Sequence, residues 1–84
     1  MGEYIRKTYK IEAVKFTRNN IEEIKDFTDN KTSNFILKNG YMICDLESRG
    51  KTIKVLENKY IVKHKDGHFY ICDKDDFESI YELI

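Results

Sequence analysis

The chain lacks proline and tryptophan, has only two cysteines and two histidines, and carries no excess of either charge, with 15 basic and 15 acidic side chains. Each shortage excludes something. Zero net charge removes the uniform electrostatic drive of non-specific nucleic-acid binding, and equally the acidity of a DNA mimic, so no direct sequence-specific DNA binding is expected. No stretch approaches the ~20 consecutive apolar residues of a membrane span, and Met1 to Lys10 has no apolar centre of the kind a secretory signal requires. The expected setting is cytoplasmic, without a membrane partner. Cys44 and Cys72 could form at most one bridge, and in that setting they read as reduced strand residues.

Nucleophilic catalysis needs a hydroxyl or thiol held by a base, and His64 and His68, the only imidazoles, flank an exposed turn. Arg49-Gly50-Lys51-Thr52 imitates the end of a phosphate-binding loop. However, Asp45 stands where the first glycine of that pattern belongs, and strand-like residues follow in place of a helix. Asp73, Asp75 and Asp76 read as acids at a helix start. The chain is therefore expected not to be an enzyme and to carry neither cofactor nor metal.

What is present suffices for one domain over residues 1–84: 40% apolar residues, among them five Phe and six Tyr, can bury a small core. A chain of this length hides only about 60% of its unfolded surface, so a homo-oligomer is expected. Tyr9 to Arg18 alternates and then changes phase at Ala13 and Val14, which predicts one strand with a bulge or twist there. Asn20-Ile21-Glu22-Glu23 resembles a capping box opening a short amphipathic helix over about 21–28, with Ile21, Ile24 and Phe27 on one stripe. Asn39-Gly40 predicts a tight hairpin between Phe35–Lys38 and Tyr41–Cys44, and Ser48 to Lys51 a second turn before Thr52–Leu56. Asp66-Gly67 predicts a third turn between Tyr60–Lys63 and His68–Cys72. A helical turn near 75–79 followed by a closing strand completes the reading, with helix over Ile80 to Ile84 as its competitor. The fold class is α+β: a small, curved antiparallel sheet of five to six strands. Both faces of the hairpins are apolar, so each needs a cover: the helix on one, curvature or a second subunit on the other.

A two-residue turn at Asp66-Gly67 pairs Lys65 with His68 and His64 with Phe69, which puts His64 and His68 on opposite faces. His68 and Cys72 share a face but lie about 13 Å apart along the strand, at ~3.3 Å per residue, too far for one zinc ion. The remaining signal is charge placement. Lys51 to Lys65 holds five lysines against Glu57, and Cys72 to Ile84 five acids against Lys74. Lys54, Lys59, Lys63 and Lys65, with His68 and Tyr70, are thus the candidate binding residues for a partner or an anionic ligand such as a nucleotide. The alternative is a solvated face that pairs with the acidic end.

Two stretches carry a family resemblance. Ile11-Glu12-Ala13-Val14-Lys15-Phe16-Thr17 followed by Asn20-Ile21-Glu22-Glu23 resembles V-I-E-A-(I/V)-Q-(F/W)-T leading into G-D-N. Val55 to Lys63, Gly67 to Cys72, and Asp75, Phe77, Tyr81 and Glu82 resemble V-x-x-G-D-Y-I-I-K-G…G-E-F-Y-P-C-K-P-D-x-F-x-x-x-Y-E. Together these are hallmarks of a group of small uncharacterised phage and prophage proteins. Asn58-Lys59 replaces the usual Gly-Asp, and Thr8, Ile71 and Lys74 replace prolines. The resemblance transfers no functional residues. It implies a phage-encoded accessory protein in the host cytoplasm, and hence a non-catalytic inhibitor of a host antiviral defence protein or complex, of the anti-CRISPR kind. The alternatives are an oligomeric sponge for a nucleotide immune signal and a minor structural or assembly protein of the virion.

Overall fold

In a computed structural model, which describes residues 2–6, 9–80 and 82–83 and the side chains of 11–80, the chain is α+β with eight strands and two helices. The order is β1 (Gly2–Arg6), β2 (Tyr9–Lys15), α1 (Ile21–Phe27), β3 (Thr32–Lys38), β4 (Tyr41–Ser48), β5 (Lys51–Leu56), β6 (Tyr60–Lys63), β7 (Phe69–Cys72), α2 (Lys74–Ile80) and β8 (Glu82–Leu83). The single sheet of five to six strands expected from sequence is replaced by two antiparallel sheets. One runs β7-β6-β2-β1-β8 and the other β3-β4-β5. The closing strand expected at the C-terminus pairs with β1, Tyr4 opposite Leu83, while Tyr81 and Ile84 lie outside the described residues. Strand β1, which hairpin-pairs with β2, was not anticipated.

The change of phase along β2 has a different cause from the expected bulge. Its register with β1 and with β6 is uniform from Glu12 to Lys15 and through Ala13. β2 is the central strand and is buried on both faces. Ile11 and Ala13 join Tyr60, Val62 and Phe77 beneath α2, whereas Val14 and Phe16 face α1 and the second sheet. A strand covered on both sides has no reason to alternate.

The larger core joins Val14, Phe16, Ile61 and Phe69 to Ile24 and Phe27 of α1 and to Cys44, Leu46 and Val55 of the three-stranded sheet. Edge-to-face rings knit it, Phe16 to Phe35 at 5.9 Å and Phe27 to Phe69 at 5.8 Å. The smaller core is closed by Phe77 stacked on Tyr60, centroids 4.0 Å apart, with the Tyr60 hydroxyl donating to Glu78 at 2.8 Å.

Helix α1 falls where expected, but Asn20 does not cap it. Its Oδ1 accepts from the Thr17 N–H at 2.9 Å and its Nδ2 donates to the Lys15 carbonyl at 2.8 Å, so it folds the incoming loop back onto β2. The turns read at Asn39-Gly40 and between Ser48 and Lys51 both form. Asn39 and Gly40 have φ of 52° and 84°, and Arg49 and Gly50 have 55° and 75°, the signs of the mirror-image turn that suits twisted strands. Asn58 takes the left-handed conformation that glycine would otherwise supply, at φ 75°.

Candidate interaction surface and the charged hairpin tip

The two hairpin layers differ in how they are covered. Sheet β7-β6-β2-β1-β8 has α1 and the second sheet on one face and α2 on the other. Among the described residues, sheet β3-β4-β5 is covered on its inner face alone, and even there Leu37, opposite Met42 near the β3–β4 turn, is 60% exposed. Cross-strand register puts Ile36 opposite Ile43 and Ile43 opposite Leu56, one row of branched side chains on the outer face. Tyr41, two residues before Ile43, lies on the same side. Ile36, Tyr41 and Leu56 are 53%, 54% and 42% exposed, and Ile43 is half-buried between them. None of the four belongs to either core. A bulge between Ser33 and Ile36, where Asn34 has φ 54°, lets Phe35 turn into the core and Ile36 outward.

Polar groups frame this row. Along the same face Lys54 meets Asp45 at 2.5 Å, Asn34 donates to Asp45 at 2.8 Å and Thr52 to Glu47 at 2.9 Å. At the other end Glu57 accepts from Arg18 Nε and Nη2 at 2.9 and 2.8 Å, and from the backbone N–H of Met42 at 3.0 Å and Arg18 at 3.1 Å. The Arg18 side-chain bonds, then the Met42 N–H, hold its carboxyl down at about 2. Beyond Tyr41 and Leu56 an open groove of about 530 Å³ runs between Asn58-Lys59 and the start of α2 at Asp73 to Asp76.

The six residues selected from sequence do not form one patch. Lys54 is on the outer face of β5, bonded to Asp45. Lys59 forms an ion pair with Asp73, as the solvated-face alternative anticipates. Lys63 and Tyr70 point to opposite faces of their sheet, because Lys63 pairs with Phe69 and Tyr70 with Val62. Lys65 is exposed in the hairpin loop, and His68 lies at its base.

That loop differs from the expected one. The β6–β7 register is displaced by one residue, Tyr60 opposite Cys72 and Lys63 opposite Phe69. The His64 N–H donates to the His68 carbonyl at 2.8 Å, so the connection is Lys65-Asp66-Gly67, three residues rather than two. Gly67 has φ 94°, as three-residue hairpin loops require at that position. His64 and His68 are therefore opposite each other on one face, their rings stacked at 4.7 Å, which corrects the opposite-face expectation. Asp66 sits between them, with Oδ1 3.2 Å from His64 Nδ1 and in contact with His68 Nδ1.

Two neighbours that the sequence reading missed reach this tip from the β4–β5 turn. The buried Ser48 hydroxyl donates to the Phe69 carbonyl at 3.0 Å and accepts from its N–H at 3.3 Å, tying β4 to the free edge of β7. Arg49, next in sequence, places Nη2 3.0 Å from His68 Nδ1 and 3.4 Å from Asp66 Oδ2. Arg49 holds a positive φ that a side chain normally avoids. An arginine where Asn or Asp is usual was the available signal. Both thiols are free: Cys44 lies in the core, its thiol pushed up to about 11 by burial and then by Asp45, and Cys72 is raised by burial and by Asp76 and Asp73.

No helix among the described residues is long and apolar enough to cross a membrane. Comparison with protein families, with curated proteins and with solved structures found no match to the chain.

Proposed function

We propose that this chain is a non-catalytic binding protein of the phage accessory kind, which occludes a surface of a host antiviral defence protein such as a CRISPR effector subunit. The observation that carries the binding role is the uncovered row Ile36, Ile43 and Leu56 with Tyr41. Contiguous apolar side chains rimmed by ion pairs are the anatomy of a protein–protein contact, with an apolar centre and a polar rim. The defence target rests on the resemblance of Ile11–Thr17, Val55–Lys63 and Gly67–Cys72 to phage proteins. A nucleotide sponge has less support, because Lys54 and Lys59 are already paired with Asp45 and Asp73 and the candidate residues are spread over two sheets.

The test is phage plating on a panel of defence-carrying hosts expressing the protein. The wild type should restore plating on at least one, and Ile36→Asp with Leu56→Asp should abolish the effect while leaving the circular dichroism and melting midpoint of the purified protein unchanged. Unrestored plating across the panel, or full protection by the variant, would overturn the proposal. So would a homodimer that the same two substitutions split, since the face would then belong to self-association.

A further inference from the structure

We propose that the β6–β7 hairpin tip is a binding site for one borderline transition-metal ion of the zinc class, held by His64, Asp66 and His68. This goes beyond the partner-binding reading and does not depend on it. The three side chains offer two imidazole nitrogens and a carboxylate oxygen, all within 4.8 Å of one another. Nitrogen–nitrogen separations around a tetrahedral ion with bonds of 2.0–2.1 Å are about 3.4 Å, so modest closure completes the set. The rings are stacked, 20° from parallel, and the Nδ1 atoms of both face the same Asp66 oxygen, Oδ1.

The arrangement rests on backbone geometry rather than on chance proximity. The three-residue loop puts the histidines opposite each other across the hairpin, with the His64 N–H bonded to the His68 carbonyl and the Gly67 N–H to the His64 carbonyl at 2.9 Å. Asp66 is aimed inward by accepting the His68 N–H at 3.2 Å. Ser48 clamps the adjoining Phe69 from the other sheet.

The cluster contains one hydrogen-bond conflict, and it centres on Arg49. His68 Nδ1 faces Asp66 Oδ1, to which it should donate, and also Arg49 Nη2, from which it should accept. One ring nitrogen cannot do both. The Arg49 guanidinium thus supplies a positive charge beside one imidazole and the far carboxylate oxygen, where it would compete with a metal ion for His68 and Asp66. Arg49 is 64% exposed and can swing outward. Two imidazoles with one carboxylate select zinc, nickel, cobalt or copper; calcium and magnesium prefer all-oxygen sets. Three protein ligands leave a fourth position for water.

Cobalt(II) titration of the untagged full chain, followed in the visible d–d region, tests the site, with zinc(II) as competitor. One equivalent should bind at micromolar concentration, and zinc should displace it. His64→Gln, His68→Gln and Asp66→Asn should each weaken binding at least tenfold, and Arg49→Gln should tighten it by removing the competing cation. In the wild type, zinc should shift the imidazole nitrogen resonances of both histidines, a readout independent of how the variants fold. The inference is overturned by a lack of saturable cobalt absorption up to millimolar metal. Binding that survives the histidine substitutions, unmoved imidazole resonances, or an Arg49→Gln variant that binds no more tightly would overturn it as well.

Discussion

At the scale of single residues, Glu57 is held from four directions. Two guanidinium bonds and two backbone N–H groups converge on one carboxylate whose side chain is only 9% exposed. Its folded-state pKa, about 2, lies below the ordinary value of 4.5. A depressed carboxyl contributes stability that is fully present above the unfolded value and lost as pH falls through the folded one. The protein should therefore lose stability between about pH 4.5 and pH 2, and Glu57→Gln should flatten that part of a melting-midpoint profile while lowering the plateau at neutral pH. Asp45, lowered by Asn34 and then Lys54, and Glu78, lowered by Tyr60 and then Lys74, add to the same slope.

Among the elements, the first two hairpin turns were the most legible in the sequence, because Asn39-Gly40 dictates its backbone signs locally and Gly50 tolerates the positive φ of the second. Helix α1 was legible from the stripe of Ile24 and Phe27, although the capping role assigned to Asn20 was not realised. What local pattern could not reveal was partnership at a distance. The two-sided burial of β2 looks like a bulge unless α2 and the second sheet are known to lie on either side. The His64–His68 pairing turned on one residue of register, since Asp66-Gly67 fits a two-residue loop as well as the last two positions of a three-residue one. Ser48, a turn residue by sequence, is a joint between sheets. Ser48→Ala leaves the Phe69 N–H and carbonyl without their partner in a buried place, which should cost about 1–3 kcal/mol in denaturant unfolding and speed hydrogen exchange at the Phe69 amide.

For the molecule as a whole, the two sheets share one core, so they should unfold together. Cys44 reports on this directly, being fully buried on the inner face of β4 against both α1 and the larger sheet. Cys72 is partly exposed on β7. A thiol reagent should label Cys72 first and slowly, and Cys44 only at the rate or equilibrium of global opening. Mass spectrometry of the singly and doubly labelled protein across a urea series distinguishes this from a loosely attached second sheet, in which Cys44 would react early.

Sheet β3-β4-β5 is contiguous in sequence, whereas the larger sheet is assembled from both ends of the chain: strand pairing leaves it after Lys15 and resumes at Tyr60. The smaller sheet is thus an excursion, anchored inward by Cys44, Leu46 and Val55, with Ile36, Tyr41 and Leu56 free of that anchoring. Positions that carry no folding burden can be rewritten at little risk. On the proposed binding role, variation among related chains should gather along this outer row and thin out along β2.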